Sequence, residues 1–171
     1  MKSEINVLVH PFTYYQKFNE DLIKKFDNYI NSRDTIIFYS KLKDLNEPFL
    51  KLISYSREEL FEKEAEQKNV YMIPTYPHKG HPTLVGGIKL EKLLKNFKPK
   101  IINFAGQTIN YSKIGQCVEG IIYSINKIIP KKIEFVLHNE LLSTMEGFGN
   151  YIDNSMDISS IYNINKKIIL K

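Results

Sequence analysis

Cys117 is the only cysteine in the chain, and with the four histidines His10, His78, His81 and His138 it makes up the side chains best suited to nucleophilic or acid–base work near neutral pH. The spacing of Val118, Ile121, Ile122, Ile125 and Ile129 predicts a helix that opens at Cys117. At that end of a helix, unpaired N–H groups and the positive dipole end favour a thiolate over a thiol. An imidazole that takes the thiol proton would complete a nucleophilic pair, and His10 is the first candidate for it. Lys79, between His78 and Gly80, could set a cation over the same crevice, lowering the thiol pKa or holding an anionic substrate. His78, Gly106, Gln107, His138 and Glu140 are the candidate substrate contacts.

Other chemistries are open to the same residues. His10, His78 or His81 with His138 and Glu140 would give zinc nitrogen and oxygen ligands and leave a position for water. The HxxH spacing at 78 and 81 falls in a proline-rich loop, however, so it does not set two ligands on one helix face, and no metal set is assigned. Gly80, Gly86 and Gly87 form no phosphate-binding fingerprint, and AGQTINYSKIGQ has neither the dinucleotide pattern nor a P-loop. No cofactor is implied.

The elements that must position these residues are legible as five apolar runs, 5–9, 35–39, 70–73, 101–105 and 133–137. Their apolar residues are continuous and mostly β-branched or aromatic, as parallel strands covered on both faces require. Between them, Phe18, Leu22, Phe26, Tyr29 and Ile30 share one helix face, as do Leu90, Leu93, Leu94 and Phe97. A further helix is expected over 56–68, where Ser56 and Glu59 have capping-box spacing, and Pro99 and Pro130 close two helices. Alternating strands and helices with right-handed crossovers predict an α/β three-layer sandwich with a doubly wound, mainly parallel sheet in the order 3-2-1-4-5. Ile168 to Leu170 offer an extra edge strand, and 148–163 a lid. Ligands of such sheets bind beyond the carboxyl ends of the strands at the switch point. His10 and His138, read as the exits of strands 1 and 5, would flank the loop 106–117 there.

Composition sets the bounds. The 171 residues are 43% hydrophobic and 25% charged, which fits one compact domain over 1–171 and excludes intrinsic disorder. One cysteine forbids an intrachain disulfide, and no secretory leader pattern opens the chain, so a cytoplasmic setting is expected. Charged or Asn residues interrupt every isoleucine-rich run, which argues against a membrane span. The net charge of +5 comes from lysines scattered along the chain and not from a basic stripe, which argues against nucleic acid. Homo-oligomerisation is left open.

The second half resembles the isochorismatase-like cysteine hydrolases over about 70–143. The likeness lies in the third strand, a loop containing Lys79, the helix around LEKLLKNF, the strand IINFAG, and CVEGIIYSINKI with Cys-Val opening a helix. The resemblance implies an Asp–Lys–Cys triad in which the Cys attacks a carbonyl or imine carbon of a small substrate while backbone N–H groups hold the oxyanion. Cys117 matches the nucleophile and Lys79 the lysine. The first strand, INVLVHPF, ends without the family's Asp, and His10 stands near that place. The expected activity is cysteine-dependent hydrolysis of a small amide, ester or similar metabolite. A relative that keeps the sandwich but has lost the triad would serve instead in binding or assembly.

Overall fold

A computed structural model describes residues 3–10, 20–40, 69–75, 87–109, 116–129, 132–144, 147–148 and 166–171. The strands are β1 (Glu4–Val9), β2 (Thr35–Ser40), β3 (Val70–Thr75), β4 (Ile101–Ile109), β5 (Gln116–Cys117), β6 (Glu134–Thr144), β7 (Gly147–Phe148) and β8 (Lys167–Leu170). The helices are α1 (Glu20–Asn31), α2 (Gly87–Phe97) and α3 (Val118–Ile128). The expected helix over 56–68 and most of the expected lid lie outside the described residues.

The sheet runs β3-β2-β1-β4-β6, all parallel, and β8 adds a parallel strand on the far side of β6. Since β6 is the fifth of the expected strands, this is the doubly wound order read from the sequence, with the extra edge strand in place. Two short antiparallel additions complete the sheet, β5 on β4 and β7 on β6. No helix among the described residues is long and apolar enough to cross a membrane.

Strand periodicity divides the apolar residues between two faces. Ile5, Val7, Val9, Ile36, Phe38, Ile102, Phe104, Phe135 and Leu137 form one buried cluster with Leu90 and Leu94 of α2 and Val118, Ile121, Ile122 and Ile125 of α3. The alternate residues face α1, and there the sheet carries a buried polar row in which Asn6 is paired with Thr35 on one side and Asn103 on the other. Of these side chains Asn6 and Thr35 serve the carboxyl end of α1, whose last carbonyls have no partner within the helix. The Asn6 amide donates to the Tyr29 carbonyl (2.6 Å) and the Ser32 hydroxyl (3.1 Å), and the Thr35 hydroxyl lies 3.0 Å from the Ile30 carbonyl. Tyr29 returns the connection, its hydroxyl 2.9 Å from the Asn103 carbonyl and 3.3 Å from that of Val7. Tyr29→Phe is therefore expected to lower the unfolding free energy by about 1 kcal/mol in urea titration.

Two elements differ from expectation, both at the carboxyl end of the sheet. Residues 106–117 are not all loop: β4 continues to Ile109, and Gln116–Cys117 folds back on it. β6 likewise continues past His138 to Thr144, so His138 lies inside a strand and not at its exit. The reason is a slip in register. Phe104 pairs with Leu137 but Gly106 with Leu142, so β6 spends five residues where β4 spends two. An odd excess exchanges the faces of all later residues, and Leu142, with Leu137, joins the cluster under α2 and α3.

Candidate active site

Val9 and Gly106 are the last partners of β1 and β4, and their backbones meet too closely for any side chain. A Cβ on Gly106 would stand 1.9 Å from the Val9 carbonyl oxygen, and φ there is 110°, in the region glycine tolerates. The next residue of β1's chain, His10, also has left-handed backbone (φ 44°), and its N–H donates to the Phe38 carbonyl at 2.9 Å. The exit of β1 is thus tied across to β2. β4 projects beyond it, and the projecting part receives β5 with Thr108 opposite Cys117 and Ile109 opposite Gln116. Cys117 ends β5, and α3 begins at the next residue.

These features share one location. β1 sends the chain toward β2, whereas β4 sends it through β5 to α3 and on to β6, so their carboxyl ends form the switch point of the sheet. Three neighbouring strand ends are irregular there: His10 in positive φ after β1, Gly106 in β4 and the slip in β6. Such departures from regular geometry concentrate at functional sites. The backbones of His10, Gly106, Gln107 and Cys117 come together at this end.

His138 and Glu140 are engaged on the side of the sheet that carries α1. The His138 Nε2 lies 3.0 Å from the Asn103 Oδ1, and Tyr29 meets the imidazole edge-on with 5.6 Å between ring centroids. An amide oxygen only accepts, so Nε2 carries a proton. Burial first, then the charges of Lys171 and Arg33, hold its pKa below the usual histidine value against the opposing pull of Glu140 and Glu4. Glu140 is ion-paired with Lys25 of α1 at 2.9 Å. Lys79, His78 and His81 lie outside the described residues, within which no three His, Cys, Asp or Glu side chains are grouped to hold a metal.

The environment of His138 fixes a pH dependence. Its folded pKa is below the unfolded value of about 6.5, so the unfolded chain binds the extra proton more readily as pH falls, and the folded state loses stability below that pH. Unfolding measured from pH 7 to pH 5 is expected to weaken more steeply in the wild type than in His138→Gln, which keeps a donor for Asn103 but cannot ionise.

Glu119, which the sequence reading passed over, stands in the first turn of α3 and is only 4% exposed. No described residue bonds or pairs with its carboxyl, and burial alone pushes its pKa up to about 7. The one signal in the sequence was an acid amid the apolar run CVEGII.

No family model matches the chain, and no curated protein matches it. Among solved structures it is similar to the crystal structure of a nicotinamidase from Staphylococcus aureus, with 11% identity over 98% of this chain and 99% of that one and a TM-score of 0.48. The site is therefore defined by the strand ends themselves.

Proposed function

We propose that the protein is a cysteine-dependent hydrolase of a small amide, ester or similar metabolite, with Cys117 as nucleophile. The observation that carries this reading is the pairing of Thr108 with Cys117, which delivers the residue to the first turn of α3 at the switch point of a parallel sheet. There the helix N-terminus favours a thiolate, and first-turn backbone N–H groups, which have no partner within the helix, serve an oxyanion. His10, next to Gly106 across the β1–β4 pair, takes the thiol proton. Lys79 supplies a cation for thiolate or substrate, while His78, Gly106 and Gln107 line the substrate, with His138 and Glu140 completing the set from the α1 side. The thiolate attacks the carbonyl carbon, the bond to nitrogen or oxygen breaks as the leaving group is protonated, and water then cleaves the thioester.

The test is a panel of small amides and esters incubated with purified protein, quenched in acid during turnover and examined by mass spectrometry. An acyl adduct on Cys117 with release of the matching acid is expected. Absence of both, together with slow alkylation of Cys117 showing no inflection below the free thiol value of about 8.5, would instead point to a binding or assembly subunit.

A further inference from the structure

Lysines that stand far apart in the sequence are gathered by the fold. Parallel strands all begin at one end of the sheet, and the first residues of β1, β4, β6 and β8 are partners in a single line, Glu4 with Ile101, Ile101 with Glu134 and Glu134 with Lys167. Hydrogen bonds carry this line into the segments just before the strands. The Lys100 N–H donates to the Ser3 carbonyl at 2.8 Å, the Glu134 N–H to the Lys100 carbonyl at 3.0 Å, and the Ser3 hydroxyl to the Lys98 carbonyl at 2.9 Å. Lys98, Lys100, Lys132 and Lys167 therefore share the amino end of the sheet, in a row that crosses three strand spacings, about 15 Å.

All four side chains are exposed, and no described side chain pairs with their ammonium groups. The acids nearby leave most of this charge standing. Glu4 is ion-paired with Arg33 at 3.0 Å, and Asp34 precedes β2, on the far side of β1 from the row. Glu134, opposite Lys167, is the one described acid within the row. A helix dipole accounts for Lys98, which follows the carboxyl end of α2, but Lys100, Lys132 and Lys167 lead into strands, whose dipoles are too small to call for a cation.

We propose that this end of the sheet is a docking surface for the phosphate backbone of duplex nucleic acid, bound without regard to sequence. The row lies at the opposite end of the strands from Cys117, so the inference stands apart from the hydrolase reading. A duplex offers one negative charge per about 1.7 Å of its axis, a regular ladder for a straight row of unpaired ammonium groups. Contacts from such groups to phosphate carry no information about base identity. A single strand would call for aromatic platforms on which bases stack, whereas Tyr71 and Phe97 at this end are only partly exposed and meet each other edge-on with 5.1 Å between ring centroids. A bilayer would call for an apolar residue to insert beside the cations. Ile88, the exposed large apolar residue among those described, stands in the first turn of α2, at the other end of the sheet.

Fluorescence anisotropy of the full chain with a labelled DNA duplex of about 20 base pairs, over about 50 to 200 mM NaCl, is the test. Saturable binding is expected, indifferent to a scrambled base sequence, with log K falling against log salt at a slope of about −3, since Glu134 offsets one of the four lysines. Lys100→Ala/Lys132→Ala should bring the slope to about −1 and weaken binding at least about tenfold near 100 mM salt. Lys24→Ala/Lys92→Ala removes the same charge from exposed positions on α1 and α2 and should leave the affinity within about twofold of the wild type. Equal loss in the two double variants means that net charge alone is at work and overturns the inference, as does absence of binding at the lowest salt. Tighter binding of a single strand of the same length, of poly-glutamate or of vesicles containing phosphatidylserine overturns it in favour of that partner.

Discussion

Cys117→Ala is expected to abolish turnover of every small amide or ester the protein accepts, by at least about 10³-fold in kcat, with no matching loss of stability. The separation of effects follows from how the residue is held. Main-chain pairing with Thr108 sets the position of β5, and the helix beyond it is anchored by Val118, Ile121, Ile122 and Ile125, so truncation at Cys117 removes none of these contacts. Steady-state kinetics and thermal unfolding of the same preparation check both halves. Cys117→Ser gives a finer reading, since a hydroxyl at the same place is a far weaker nucleophile near neutral pH. Turnover surviving in the alanine variant would exclude Cys117 as nucleophile whatever its position.

Gly106→Ala is expected to have the largest effect on folding, about 3–5 kcal/mol in chemical denaturation or outright failure to accumulate folded protein. Two costs coincide. The new methyl would stand 1.9 Å from the Val9 carbonyl oxygen and 2.7 Å from the Val9 carbon and nitrogen, and all three are backbone atoms between hydrogen-bonded central strands that cannot swing aside. The φ of 110° is also one that an alanine adopts only under strain. Relief requires β1 and β4 to part at their carboxyl ends, where His10 and the projecting end of β4 lie. Any folded fraction should therefore show slower Cys117 chemistry as well as lower stability. A variant with wild-type stability would mean that the two strands do not meet this closely.

The sheet was legible because its strands announce themselves twice, through continuous β-branched runs and through the amphipathic helices between them. Val7, Ile36, Ile102 and Phe135 could hardly belong anywhere but in buried parallel strands. His10 was legible for the same reason, since it follows the last apolar residue of a central strand. What escaped the sequence reading depends on pairing between strands. Nothing in HNELLST shows that the chain leaves register after Leu137 and returns with Leu142, because the parity exchange exists only relative to β4. The backfolding of Gln116–Cys117 on β4 escaped similarly, as two residues are too short to carry a period. Glu119 was invisible for a different reason: burial of a first-turn acid depends on what packs over the helix, whereas a first-turn acid is ordinarily read as exposed and favourable to the dipole.

The strand nearest the amino terminus of the sequence lies in the interior of the sheet. β1 pairs with β2, the next strand in the sequence, on one edge, but its other edge pairs with the much later β4, where Ile5 meets Ile102 and Val9 meets Gly106. During synthesis, the nascent β1 and β2 expose an unpaired apolar edge until most of the intervening chain has left the ribosome. Non-local pairing of this kind is slow and leaves partly built sheets open to association with one another. Yield of folded protein should therefore depend more on chaperones and growth temperature than its final stability would suggest.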